Sequence, residues 1–284
     1  MKILAIGDFH GKFPKKFEKI IKKQKIDAVI SVGDYPPFHY REIWFKHCFG
    51  KENVELWEVI GKTKYKKLVI KDHNLGETVL KKLNKLPVPV FTVLGNIDYP
   101  FSNDIADFHL KNQSKWKWSR EAYLLFPKII NKYKKIRRFD YTFAKFKDFV
   151  FIGMRGHTFQ GKVKSKAFKK HRAILDNLFK KFEKENNAKK VIFVSHIPPL
   201  NTKLDKIGMK AHPKVRGTHR GSKLTRRIIE RYQPILNLCG HTHEAWGKDK
   251  IRKTLCVNTG AANEGRAAII KISEKGKLNV KFIN

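Results

Sequence analysis

Short apolar runs of strand length alternate along the chain with lysine-rich polar stretches, and most runs end in glycine beside an acidic, amide or imidazole side chain. The first, Lys2-Ile3-Leu4-Ala5-Ile6, predicts a buried strand and stops at Gly7-Asp8-Phe9-His10-Gly11. Pro14 suits the first turn of a helix, and Phe17, Ile20 and Ile21 follow at helical spacing. A second run, Ala28 to Val32, ends in Gly33-Asp34. Strand, helix and strand within about 30 residues predict a parallel pair, so Asp8 and Asp34 should share one sheet edge.

Val79, Leu80, Leu83 and Leu86 predict a helix over 77–86, stopped by Pro87 and Pro89. Val90 to Leu94 is a third strand, closing with Gly95-Asn96-Ile97-Asp98. Residues 38–75 and 100–140 lack strand rhythm and read as insertions. Phe143 to Phe149 suggests a β ribbon and Phe149 to Ile152 a buried strand, followed by a loop to His157. Ser165 caps an amphipathic helix carrying Phe168, Leu175, Leu178, Phe179 and Phe182. Val191 to Val194 leads to Ser195-His196, and Ile235 to Cys239 leads to Gly240-His241-Thr242-His243. Leu255–Asn258, Ala267–Ile272 and Leu278–Ile283 read as a meander that completes the second sheet.

The run ends carry the candidate chemistry. Asp8 and His10, two residues apart between glycines, can converge on one ion. Asp34 beside Asp8 could bridge two metals, and its bland alternative is a turn residue before Pro36-Pro37. His241 and His243 can face neighbouring ions and form the most specific single motif. His39 and His47 read as surface or packing residues. In the polar loop 200–221, Arg220, Lys223 and the helix start at Gly221-Ser222 suit a phosphate oxygen, against simple N-capping.

Length alone would allow two domains, but candidate ligands running from Asp8 to His243 require one unit over 1–284. A hydrophobic share of 41% is ample for a core. The apolar runs fall short of the roughly 18 residues that span a bilayer, which excludes membrane insertion, and no secretory signal is visible. Three scattered cysteines, Cys48, Cys239 and Cys256, argue against a disulfide framework and fit the cytoplasm. The net charge of +37 would attract polyanions, so a nucleic-acid partner is open. Spread lysines favour a solvated, compositionally biased surface over a dedicated groove. The aromatics Trp116, Trp118, Tyr123, Phe126 and Tyr133 could stack on a single strand, but their spacing favours packing.

Taken together, Gly7-Asp8-x-His10, Gly33-Asp34, Gly95-Asn96-x-Asp98, Ser195-His196 and Gly240-His241-x-His243 resemble the calcineurin-like metallophosphoesterase superfamily over essentially the whole chain apart from 38–75 and 100–140. The resemblance implies an α/β fold, a two-sheet αββα-type sandwich with mostly parallel or mixed strands and a dinuclear metal centre at the strand ends. It implies that Asp8, His10 and His243 hold one ion, that Asn96, His196 and His241 hold the other, and that Asp34 bridges them. Two departures stand out. Where many members have a histidine after the asparagine of the third motif, this chain has Ile97, and Tyr35-Pro36-Pro37 replaces a further acid after Asp34.

Carboxylate, amide and imidazole ligands suit Mn²⁺, Fe²⁺, Zn²⁺ or Ni²⁺, with Mn²⁺ first, rather than a thiolate-bound metal. Two such ions about 3.5–4 Å apart would polarise a phosphoryl oxygen and supply a bridging hydroxide for in-line attack on phosphorus. Asp98 is expected to orient a ligand, and His219 or Arg220 to share the developing charge. Without an obvious general acid at Ile97, a phosphodiesterase on nucleotide-like esters is expected. A nuclease on DNA or RNA and a non-catalytic scaffold are the alternatives. His157 or His219 could stand in for the missing acid.

Overall fold

Leu4, Ile6, Val29 and Ile30 are wholly buried, as near-continuous apolar runs must be when both faces of a sheet are covered. The computed structural model describes residues 1–51, 54–98, 114–122, 124–156, 163, 165–213 and 215–284. One mixed sheet holds β1 (Lys2–Ile6), β2 (Ala28–Ser31), β3 (Val90–Thr92), β4 (Ile136–Arg138), β11 (Ala267–Ile272) and β12 (Leu278–Ile283), in the order β12-β11-β1-β2-β3-β4. The other holds β5 (Phe143–Phe146), β6 (Phe149–Met154), β7 (Val191–Ser195), β8 (Leu236–Cys239), β9 (Gly247–Ile251) and β10 (Thr254–Asn258), in the order β5-β6-β7-β8-β10-β9. β1, β2, β3 and β4 run parallel, and so do β6, β7, β8 and β10.

Alternate residues divide the core into three layers. Ile3, Ala5, Ile30 and Val93 meet Phe151, Ile192, Val194 and Leu238 between the sheets. Leu4, Ile6 and Val29 face outward onto Phe17 and Ile21 of the helix Lys16–Lys23 and Val79, Leu80 and Leu83 of the helix Lys62–Asn84. On the far side, Val150, Val191 and Phe193 pack against the helices Lys166–Lys181 and Lys223–Tyr232. The αββα-type sandwich is therefore the observed architecture.

Two local expectations need correction. The C-terminal strands complete the first sheet, not the second: β11 pairs antiparallel with β1, Leu4 opposite Ile269, and β12 pairs with β11. β11 takes the edge of β1 away from β2 and is itself buried except at Lys271. The helix expected over 77–86 begins at Lys62, so the first insertion ends inside a continuous 23-residue helix. Its first half is masked in sequence by lysines on the wet face, while Tyr65, Val69 and Asp72 continue the buried stripe.

The insertion aromatics pack rather than project. Trp44, Trp57, Trp116 and Trp118 gather around buried Tyr65 and Val69, with the Lys62 ammonium 5.4 Å from the Trp57 ring centre. Among the described residues no helix is long and apolar enough to cross a membrane. Cys48, Cys239 and Cys256 are free and buried. Tyr123 and His157 lie outside the described residues.

Candidate metal centre

The loops that follow the parallel strands are laced to one another at a single edge of the sandwich. The 8–11 loop donates from the N–H groups of Asp8, Phe9 and Gly11 to the carbonyls of Gly33, Asp34 and Tyr35, at 2.8, 2.8 and 2.7 Å. Gly240 N–H reaches the His196 carbonyl at 2.9 Å, and Ala262 N–H reaches that of Gly7 at 2.9 Å. Seven sequence-predicted residues come together there: Asp8, His10, Asp34, Asn96, His196, His241 and His243.

They form two groups. Asp8, His10 and His243 present ligand atoms within 4.8 Å of one another, as do Asp34, His196 and His241. In the first, Nε2 of His10 lies 3.1 Å from Nε2 of His243, which is 3.4 Å from Asp8 Oδ1. In the second, Nε2 of His196 lies 2.9 Å from Asn96 Oδ1 and 3.3 Å from Asp34 Oδ2. Nδ1 of His241 is 2.8 Å from the same amide oxygen. Asn96 thus joins the second group through Oδ1.

The backbone tolerates strain to achieve this. Asp8, His10, Asp34 and His241 have φ of 53°, 42°, 59° and 68°, a region that costs a non-glycine residue about 1 kcal/mol or more. Glycines clear the remaining space: a Cβ on Gly95 would lie 1.9 Å from Asp34 Oδ1, and one on Gly240 would lie 2.2 Å from Asp8 Oδ2. The glycines of the Gly95-Asn96 and Gly240-His241 pairs are therefore steric requirements of the site.

The donor set fits a divalent cation. Nδ1 of His196 faces the Val32 carbonyl at 2.8 Å, so its hydrogen lies there and Nε2 turns to Asn96 and Asp34. With His196 neutral and His241 protonated at Nε2, the lone pairs of His196 Nε2, Asn96 Oδ1, Asp34 Oδ2 and His241 Nδ1 would converge with no hydrogen between them. Such a cluster is repulsive without a positive charge. Burial alone would lower His196, but the Asp34 carboxylate beside it, with Asp8 and the Val32 carbonyl, raises it to about 9. Burial and the neighbouring His196 lower His241 to about 4, leaving it neutral and able to ligate. His10 is lowered by burial and by His243.

Asp98 supports the centre from behind. Wholly buried, it accepts from the backbone N–H groups of Asp34 (2.9 Å) and Gly95 (2.6 Å) at Oδ2 and of Tyr35 (2.8 Å) at Oδ1. It thereby fixes the loop that carries Asp34 to the loop that carries Asn96. Burial and the Asp34 carboxylate push it up, to about 7, against these three donors.

His219 and Arg220 are not in either group. They lie in a hairpin closed by a bridge between Lys206 and His219, where His219 Nδ1 sits 2.8 Å from buried Asp205 and Arg220 Nε donates to Thr218 Oγ1. The hairpin leans on the ligand loop, since Gly208 N–H donates to Glu244 Oε1 at 2.8 Å. Ser222 caps the following helix through the N–H of Thr225, at 2.9 Å, as plain N-capping requires. Two buried acids lie outside the motifs: Asp205, which accepts from the N–H groups of Asn201, Thr202 and Gly221, and Asp72, which pairs with His39, the residue expected at the surface or in packing. The signal for Asp72 was available: a carboxylate within the stripe Val69-Asp72-Gly76-Leu80.

Fold and site define a two-sheet α/β sandwich with paired candidate cation sites at its strand ends. The chain belongs to the calcineurin superfamily of metallophosphoesterases, whose family profile matches residues 1–282. Over 74 residues it is 39% identical to the uncharacterised protein MJ1162 of Methanocaldococcus jannaschii, a stretch covering 25% of this chain and 32% of that relative. The match thus spans about a third of the curated relative's length. Among the solved structures that share the fold are two with TM-scores above 0.5. TT1561 of Thermus thermophilus has a TM-score of 0.53 at 16% identity, over 99% of this chain and 97% of that one. A dimetal phosphatase from Danio rerio has a TM-score of 0.53 at 10% identity, over 100% of this chain and 96% of that one.

Proposed function

We propose that the protein is a metal-dependent phosphodiesterase with a dinuclear centre. The observation that carries this reading is the convergence of the potential ligand atoms of Asp34, Asn96, His196 and His241 beside the Asp8, His10 and His243 group. In this assignment Asp8, His10 and His243 would hold one divalent ion, Asn96, His196 and His241 would hold the second, and Asp34 would be shared between them. Mn²⁺ is the preferred ion for such oxygen and imidazole donors, with Fe²⁺, Zn²⁺ and Ni²⁺ as competitors. Two ions so held would polarise a phosphoryl oxygen and supply a hydroxide nucleophile.

The chain's own residues do the rest. Asp98 keeps the Asp34 and Asn96 loops in register, and the Val32 carbonyl holds His196 in the ligating tautomer. His219 and Arg220, on the hairpin beside Glu244, are proposed to neutralise phosphoryl oxygens as charge develops. The span of the ligands, from Asp8 to His243, supports one functional unit over 1–284 with insertions at 38–75 and 100–140. Free, buried cysteines suit the cytoplasm.

A diester is favoured over a monoester because Ile97 places an apolar side chain between Asn96 and Asp98. Hydrolysis of bis(p-nitrophenyl) phosphate beside p-nitrophenyl phosphate tests this, with metal-stripped protein reloaded with Mn²⁺. Faster turnover of the diester is expected, and faster turnover of the monoester would count against the reading. A nuclease is the second reading, supported by exposed Lys203, Lys206, Lys210 and Arg216 on the hairpin side of the site. It predicts substrate affinity that falls steeply with salt.

A further inference from the structure

The imidazoles and acids gathered at the centre are committed to the two ligand groups, and residue 97 is isoleucine. An alkoxide leaving oxygen nevertheless needs a proton to depart at neutral pH. A donor has to come from beside the ligand set.

His39 and Asp72 are placed for this. Asp72 lies on the buried stripe of the helix Lys62–Asn84 and is 3% exposed, a costly place for a carboxylate. Among the described residues its oxygens accept hydrogen bonds only from His39: the backbone N–H at 3.1 Å and ring Nδ1 at 2.5 Å. The His39 side chain, by contrast, is 49% exposed, and among the described residues its Nε2 has no partner. A buried acid that serves a single half-exposed imidazole orients that ring and leaves the other nitrogen to solvent or substrate.

Both halves of the pair are anchored beside a candidate ligand. A Cβ on Gly11, the residue after His10, would lie 3.1 Å from Pro37 Cδ and 3.3 Å from Leu75 Cβ. Pro37 precedes His39 by two residues, and Leu75 follows Asp72 by three, just under one helical turn. The Asp205–His219 pair differs, because Asp205 also takes three backbone N–H groups and so closes its hairpin whether or not His219 reacts.

Resting on the phosphodiesterase reading above, we propose that His39 is the general acid of this site, protonating the leaving oxygen from Nε2, with Asp72 as its positioning residue. The P–O bond to the leaving group breaks with its electron pair on the leaving oxygen, and that oxygen takes the His39 proton. The new P–O bond forms to hydroxide. A diester anion, hydroxide and imidazolium become a monoester monoanion, an alcohol and neutral imidazole, and water then restores the imidazolium and the hydroxide.

The test compares two substrates in the Mn²⁺-loaded full chain. Bis(p-nitrophenyl) phosphate releases a phenolate that departs with little help, whereas a dinucleoside monophosphate releases an alkoxide. His39→Gln and Asp72→Asn should each lose at least tenfold more kcat on the dinucleotide than on the nitrophenyl ester, within the roughly 10²–10⁴ that a general acid supplies. In metal-free protein, ¹⁵N NMR should show His39 protonated at Nδ1, and Asp72→Asn should lose that preference. Equal losses on both substrates, or no loss, would overturn the assignment of His39 while leaving the phosphodiesterase intact. If the unsubstituted chain turns over neither diester, the phosphodiesterase reading falls, and this inference with it.

Discussion

Nδ1 of His196 and the carbonyl oxygen of Val32 are 2.8 Å apart, a bond from one sheet to the other that fixes which ring nitrogen faces the centre. In the metal-free protein the remaining nitrogen carries a proton, because Asp34 and Asp8 outweigh burial and raise this imidazole to about 9. A cation bound at Nε2 would have to expel that proton.

Metal loading at pH 7 should therefore release close to one proton from His196, and affinity should fall as pH falls below about 9. Calorimetric titration with Mn²⁺ in two buffers of different ionisation enthalpy reads the proton count. A heat independent of buffer would contradict the arrangement.

Asp98→Asn should destabilise the fold by about 1–3 kcal/mol, since an amide offers one acceptor where Asp34, Tyr35 and Gly95 present three N–H groups and leaves a buried donor unpaired. Chemical denaturation measures the loss, and weaker metal retention should accompany it because the Asp34 loop is released.

Acid should act on the fold away from the metal centre. Burial lowers His73 to about 4 from its ordinary 6.5, beside Phe126 at 5.7 Å between ring centres. Because the folded value is depressed, this histidine's contribution is fully present above about pH 6.5 and is lost as pH falls toward 4. In His73→Phe, the loss of unfolding free energy between pH 7 and pH 5 should shrink by up to about 2 kcal/mol. Parallel denaturation curves at the two pH values check it, and an unchanged difference would contradict a neutral buried His73.

The candidate ligands were legible in the sequence because the strands are short apolar runs whose ends are marked by ligand-type residues. Seven such residues, from Asp8 to His243, meet at one edge. What it hid were features without local periodicity. The first half of the helix Lys62–Asn84 carries five lysines, so its buried stripe of Tyr65, Val69 and Asp72 is diluted. The placement of β11 and β12 beside β1 depends on which sheet edge is open, and an alternating or apolar run cannot state that. His39 is half-exposed, as the sequence predicts, but its pairing with Asp72, 33 positions away, is legible only once the helix has turned that acid inward.

The central claim is a two-ion centre that hydrolyses phosphodiesters. Its most direct test is to titrate Mn²⁺ into stripped protein while following bis(p-nitrophenyl) phosphate turnover and bound metal together. Activity should climb to a plateau at two ions per chain, and Asp34→Ala should bind fewer and remain inactive. A plateau at one ion, or full activity in Asp34→Ala, would contradict the account.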